Sequence, residues 1–388
     1  MIKRALSGKL ESLALKFPVV SVVGPRQSGK TTLVKNIFTD LEYVSLEDID
    51  NREFALNDPR GFLSAYKKGA IIDEAQRVPE LFSYLQGEVD RKDKAGRFIL
   101  TGSQNFLLQE NISQTLAGRV GILRLLPFSL EELKSADYKL GNAEEYIFKG
   151  FYPRIYDKKI SPVDWYPNYL QTYVERDVRL IKNISNLNTF QKFIKLCAGR
   201  IGQILNLSSL GNDCGISHNT AGEWLSILEA SYIVFLLQPY YKNFNKRLIK
   251  MPKLYFYDTG LACSCLGIQN KAQLDSHYLR GSLFESFVLT EIVKYKFNRG
   301  QEHNCYYWRD KTGNEIDCIM AMPDGLVKIE LKSARTIADD FFAGFRYWNK
   351  ITGAKKGGAS YLIYNGNENQ KRTLANVVSW KDTPLVFS

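Results

Sequence analysis

An α/β fold built on a parallel sheet is predicted for the first third of the chain by three observations. Short β-branched or apolar runs alternate with longer polar, periodic segments from Pro18 to about Leu126. A glycine-rich loop joins the first of these runs to a helical stretch, TLVKNIF. A third run, AIIDE, ends in two adjacent acids. This alternation is the rhythm of a parallel sheet covered by helices, and FPVVSVV, EYVSL, GAIID, RFILT and GILRLL are its five expected strands.

The 388 residues are long enough for two or three domains, each with its own core. Apolar residues make up 45% of the chain and charged residues 24%, which excludes a disordered or collagen-like polymer. Lys and Arg number 52 against 41 Asp and Glu, a formal net charge of +11. That excess favours polyanionic partners, nucleic acid and nucleotides first. The six cysteines are sparse and lack paired spacing, which fits a reducing cytoplasm rather than a secreted disulfide framework. Charges interrupt every short apolar stretch near the amino terminus, unlike a signal peptide, and the run from Tyr232 to Leu237 is far too short to span a bilayer. A soluble, cytoplasmic protein is expected.

After Pro127 the pattern turns helical. It suggests a core over 1–140, a helical lid or connector over 141–186, a third module over 187–270 and a second α/β unit over 271–388. The connector is centred on the helical stretch WYPNYLQTYVERDVRLI. The last unit opens with the helix GSLFESFVLTEIVKYKF, continues through strands in TGNEIDCIM and GLVKIELKS, and closes with FFAGFRYWNKI and ASYLIY.

Gly24-Pro25-Arg26-Gln27-Ser28-Gly29-Lys30-Thr31 satisfies the pattern GxxxxGK(S/T) in full, between an expected strand and an expected helix. Gly24 and Gly29 let backbone N–H groups turn inward around a phosphate, with Pro25, Arg26, Gln27 and Ser28 between them and Thr32 in the first helical turn. Lys30 brings a point charge to the β- and γ-phosphates of a nucleotide, and Thr31 is placed to ligate Mg²⁺. Asp73 and Glu74 close the strand AIIDE, Asp73 for the metal and Glu74 to orient or deprotonate a water. Thr101, Ser103 and Asn105 end the next strand as candidates to sense a γ-phosphate, with plain turn chemistry as the alternative. Arg119 and Arg176 are candidates to stabilise charge at the phosphates, against the ordinary alternative of surface ion pairs.

GPRQSGKTTL, AIIDEAQRVPELF, FILTGSQNFLL, LAGRV and LLPFSLEEL together resemble the predicted AAA-type ATPases of bacteria and archaea. NTAGEWLSILEASYIV, KLYFYDTGLA, GSLFESFVLTEI, GNEIDCIM and KIELKS resemble the domain of unknown function that usually forms their second half. The resemblance implies ATP binding by a P-loop AAA-like core, then a winged-helix module and a terminal PD-(D/E)xK nuclease-like α/β domain.

In the third module, Gly211 and Gly215 precede Ser217 as N-cap of a helix whose apolar face is Ala221, Trp224, Leu225 and Leu228. That helix carries Glu223 and Glu229 but no Lys or Arg, which is poor chemistry against phosphates. The cations lie in the following stretch, Lys242, Lys246, Arg247, Lys250 and Lys253, interleaved with Tyr240, Tyr241 and Phe244. A wing on the DNA backbone is expected, against the alternative of a solvated basic hairpin.

A metal-dependent phosphodiesterase needs carboxylates on one face of adjacent strands and a lysine beside them. Asp317, Glu330 and Lys332 supply that set, with Glu330 and Lys332 on one face by strand alternation and Glu315 sharing a face with Asp317. Similar folds use a helical acid beside the metal, which points to Glu285.

The expected function is an ATP-binding and ATP-hydrolysing switch coupled to a DNA-engaging second half with a Mg²⁺-dependent nuclease site. The alternatives are a scaffold or signalling protein whose nuclease-like domain only binds protein or nucleic acid. A homo-oligomer is compatible with either. If the wing contacts phosphates, replacing Lys246 and Arg247 with Ala flattens the salt dependence of DNA binding by about 2 in log–log slope, measured by titration between low and moderate salt. An unaltered slope rejects the wing.

Overall fold

The computed structural model describes residues 2–387 except 93, 104–114, 140, 174–183, 185, 241–249, 324 and 354–357. The chain forms two compact units, one of residues 1–137, 230–232 and 296–301, the other of residues 138–229, 233–295 and 302–388.

The first unit is built on β1 (Val19–Val23), β2 (Glu42–Ser45), β3 (Ala70–Asp73), β4 (Phe98–Gly102) and β5 (Val120–Arg124). Each falls within two residues of an expected strand, and all four pairings are parallel, in the order β2-β3-β4-β1-β5. The central strands β1, β3 and β4 are buried along their whole length, which is why they read as unbroken apolar runs. Helix α1 (Ser7–Ala14) and helix α2 (Lys30–Ile37) set Leu10, Ala14, Leu33 and Val34 into one core with Val20, Val22, Ile71, Ile99 and Leu123. Because β4 lies between β1 and β3, the loop after β1, the polar end of β4 and the acids of β3 share one carboxyl edge.

In the second unit a single eight-stranded sheet runs β12-β13-β11-β10-β9-β8-β6-β7. Its members are β6 (Val234–Pro239), β7 (Lys253–Phe256), β8 (Cys305–Arg309), β9 (Glu315–Met322), β10 (Gly325–Lys332), β11 (Ser360–Tyr364), β12 (Gln370–Lys371) and β13 (Asn376–Ser379). Strands from 187–270 and from 271–388 therefore share this sheet. The join is short: β6 pairs with β8 at Gln238↔Tyr306 and Pro239↔Tyr307.

The helices Leu187–Ala198, Leu207–Cys214 and His218–Ala230 precede β6. Gly215 takes the left-handed backbone that ends the second of them, with φ of 83°. Ser217 Oγ accepts from the Thr220 N–H at 3.0 Å, the expected N-cap, and Trp224 stands edge-on to Phe190 and Phe193. The expected connector helix is present over Pro162–Tyr173; its continuation with Arg176 lies outside the described residues. So do Tyr241, Lys242, Phe244, Lys246 and Arg247 of the expected wing.

Asp258 ties several of these segments together. Its buried carboxylate accepts from the Phe151 N–H at 2.7 Å, the Tyr166 hydroxyl at 2.6 Å and, as N-cap of the helix Thr259–Cys265, the Leu261 N–H at 3.0 Å. All six cysteines are buried, and among the described residues no helix is long and apolar enough to cross a membrane.

Asp258→Ala leaves the Phe151 and Leu261 N–H donors unpaired in the interior and the Tyr166 hydroxyl with the Lys149 carbonyl alone. A loss of about 3 kcal/mol is expected in the urea unfolding free energy, whereas a surface substitution changes it by less than about 0.5 kcal/mol.

Candidate functional site

The loop after β1 is held in the shape that an anion site requires. Gly24 has φ of 154°, and a Cβ there would lie 2.1 Å from the Leu125 carbonyl oxygen, so only glycine fits. Gln27 (φ 58°) and Gly29 (φ 93°) are both left-handed, which turns the chain into the first turn of α2. Lys30 is buried, and its ammonium donates to the carbonyls of Gly24 at 3.0 Å and Pro25 at 2.9 Å, spanning the mouth of the loop. Ser28 Oγ is buried without a hydrogen-bond partner. Arg26 pairs with Glu47, which also takes Arg77. Thr32 is exposed on the outside of α2.

The acids of β3 stand opposite. Thr31 Oγ1 lies 3.2 Å from both carboxylate oxygens of Asp73, and the Tyr43 hydroxyl donates to Asp73 Oδ2 at 2.8 Å. Thr101 Oγ1 donates to Asp73 Oδ1. Burial and the adjacent Asp73 push the Tyr43 hydroxyl up to about 12, so it remains a donor. Glu74 takes a left-handed backbone (φ 54°), which aims it away from the strand direction. Its carboxylate accepts from Gln76 and from Ser103 Oγ at 2.9 Å. Burial pushes this carboxyl up, but the Lys30 charge, those two hydrogen bonds and Arg26 outweigh it, so Glu74 sits below the usual glutamate range and is ionised at neutral pH. These residues suit Mg²⁺ with a nucleotide: Thr31 and Asp73 offer oxygens on one side, and the loop and Lys30 receive phosphate on the other.

The structure thus gathers Gly24 to Thr31, Asp73, Glu74, Thr101 and Ser103; Asn105 lies outside the described residues. It does not bring Arg119 to them. Arg119 precedes Val120, which pairs with Val19 at the opposite end of β1, about 16 Å from the loop at ~3.3 Å per residue. There it makes a half-exposed ion pair with Asp90.

One residue of this site has no signature in the sequence. Arg4, 7% exposed, donates from Nη1 to the Ser28 carbonyl and from Nη2 to the Leu126 carbonyl, each at 2.6 Å, and from Nε to Glu132 at 3.0 Å. Glu132 is held in turn by a capping box with Ser129 at the start of the helix Leu130–Ser135. The guanidinium therefore fixes the loop from behind.

In the second unit the expected acids also converge. Lys332 Nζ lies 3.0 Å from Glu330 Oε2 and 3.5 Å from Asp317 Oδ2, and the Leu331 N–H donates to Asp317 at 2.8 Å. Strand alternation places Glu330 and Lys332 together as expected. Glu285 comes from the helix Arg280–Phe297, docked on β7 by Ser286 and Thr290 hydroxyls on the Phe256 carbonyl.

What was not expected is Lys253. Read as a wing cation, it is instead 4% exposed, with Nζ 3.2 Å from Glu285 Oε1 and in an ion pair with Glu315. The reason is the pleat: Lys253 and Tyr255 of β7 project to one face, and the Tyr255 hydroxyl also donates to Glu285. Burial, with Asp317 nearby, pushes the Glu285 carboxyl up to about 7 despite Lys253. Among the described residues no group of three or more His, Cys, Asp or Glu is arranged to hold a metal ion. A divalent ion about 4 Å from an ammonium meets roughly 8 kcal/mol of repulsion at an effective dielectric of about 20, so the terminal set does not fit a metal.

Residues 16–134 match the family model described as an AAA domain. Residues 141–272 and 280–382 match two models, each described as a domain of unknown function, DUF8612 and DUF4143. The uncharacterized protein Rv2008c of Mycobacterium tuberculosis is 29% identical over 338 residues, covering 86% of this chain and 74% of its own. The uncharacterized protein MJ1544 of Methanocaldococcus jannaschii is 24% identical over 349 residues, covering 82% and 75%. Among solved structures, the Walker-type ATPase paby2304 of Pyrococcus abyssi is similar with a TM-score of 0.44 and 13% identity, over 68% of this chain and 96% of its own. Residues 16–134 of the first unit thus carry an AAA-like domain on a parallel sheet with a P-loop after its first strand.

Arg4→Ala removes the clamp behind Ser28 and is expected to weaken ATP binding at least about tenfold in calorimetric titration, a loss of ~1.4 kcal/mol. Glu132→Gln, which leaves both carbonyl contacts of Arg4 in place, retains the affinity.

Proposed function

We propose that this chain is an ATP-hydrolysing switch whose first unit changes state with its nucleotide and whose second half engages DNA. The observation that carries the reading is the meeting of Lys30, the Thr31–Asp73 pair and ionised Glu74 at one edge of a parallel sheet. In this reading the backbone N–H groups of Gly24 to Gly29 hold the phosphates. Lys30 exchanges its two carbonyl partners for β- and γ-phosphate oxygens, and Thr31 and Asp73 hold Mg²⁺ and its waters. The metal neutralises charge on the phosphates. Glu74, carrying its negative charge at neutral pH, orients a water or takes its proton, while Thr101 and Ser103 set the two acids. Arg119 reaches a phosphate only if a second copy presents it, so a catalytic role for it goes with a homo-oligomer.

For the second half, the reading rests on the net charge of +11 and on the cations of 242–250. We assign 141–186 to a connector, 187–270 to a winged-helix module and 271–388 to a nuclease-like domain. The charge balance around Lys253 favours the form in which that domain binds without cleaving, as a scaffold for nucleic acid or protein.

One assay with purified protein, ATP, Mg²⁺ and plasmid, following phosphate release and strand breaks together, tests both halves. Wild type releases phosphate. Glu74→Gln retains ATP binding and loses about a hundredfold or more in kcat. Lys30→Ala loses ATP binding while its circular dichroism is unchanged; unchanged nucleotide affinity overturns the assignment.

A further inference from the structure

Four carboxylates, Glu285, Glu315, Asp317 and Glu330, surround the inner ends of β7, β9 and β10, and each already has a cation of this chain as partner. Lys253 serves Glu285 and Glu315, Lys332 serves Asp317 and Glu330, and Arg309 Nη1 lies 3.1 Å from Glu315 Oε2. Two uncharged donors add to this, the Tyr255 hydroxyl on Glu285 and the Leu331 N–H on Asp317. Glu330 Oε1 is buried without a hydrogen-bond partner. It faces Gly344 of the helix Ala343–Thr352, where a Cβ would lie 2.2 Å from it, so helix backbone occupies that side.

We propose that Lys253 is a resident cation that takes the place of a divalent metal at the centre of this acidic cluster, leaving the terminal domain unable to recruit Mg²⁺ or Mn²⁺. The ammonium sits between a helical acid and an acid of β9, and it is tethered by its own strand, so it cannot exchange with ions of the medium. An ion of the same sign would have to displace it or lie against it. A metal-activated water, the source of nucleophile in metal-dependent phosphodiester cleavage, then has no ion to form on. What remains facing solvent is Lys332 and Arg309, each about a third exposed and each already paired with a carboxylate of the cluster.

The inference is independent of the ATPase reading because it is tested without nucleotide. Mn²⁺ binding to the full chain is measured by electron paramagnetic resonance of the free ion. Wild type is expected to bind no Mn²⁺ at sub-millimolar concentration. Lys253→Met, which keeps an apolar stem of similar length, is expected to gain one Mn²⁺ per chain and to lose it again on adding Asp317→Asn. Two results overturn the proposal. One is a wild-type chain that binds one Mn²⁺ removed by Asp317→Asn, or by Glu330→Gln should the first variant unfold. The other is a folded Lys253→Met chain with no gain in Mn²⁺. The wild-type measurement decides the matter even if Lys253→Met does not fold.

Discussion

The first unit depends on one carboxylate. Asp73 receives hydroxyls from three separate elements: Thr31 at the start of α2, Tyr43 on β2 and Thr101 at the end of β4. These contacts tie the phosphate loop's helix to the strands on either side of β3, so the loop and the acid pair are positioned by the same group that is needed for the metal. These three partners are neutral hydroxyls, which orient the carboxylate without bringing a counter-charge to it, and a cation beside a triphosphate would supply one. The loop's own ammonium is likewise satisfied by main-chain carbonyls, weak partners that phosphate oxygens can replace.

The acids of the second unit show the opposite economy. There every carboxylate meets an ammonium or guanidinium from the same chain, with Lys253 and Lys332 each shared between two acids. Buried pairs of this kind are costly to desolvate and add little net stability, but removing one partner is severe because it strands the other. Two clusters with the same residue types thus have different chemistry, and the difference lies in whether the counter-charge is built in or brought by a ligand.

Much of the first unit was legible from residues alone. The five strands, the turn at Gly24 to Gly29 and the placing of Asp73 and Glu74 follow from periodicity and from a motif whose glycines are needed for backbone geometry. In the second unit, alternation along β10 set Glu330 beside Lys332, and the helix N-cap at Ser217 was readable in the same way. Lys253 was not, because a lysine in a basic stretch reads as solvated. Only the pairing of β7 beside β6 and the docking of the helix Arg280–Phe297 turn it inward. Arg4 was hidden for a related reason: its partners Ser28, Leu126 and Glu132 are 24 to 128 positions away, and no local pattern encodes such a contact. Arg119 lies at the amino end of β5, away from the loop within one copy, and its place just before an expected strand already carried that information, since parallel sheets hold ligands at the carboxyl edge.

The narrow join between β6 and β8 has a mechanical side. A ladder with two residue pairs, one of them a proline that has no N–H to give, is a weak seam in an otherwise wide sheet. The Lys253–Glu315 contact bridges from β7, beyond that seam, to β9 on its far side, so an ion pair adds to the few hydrogen bonds that staple the sheet there. Because Lys253 is buried, salt screens this staple little, and the tie across the seam persists at high ionic strength.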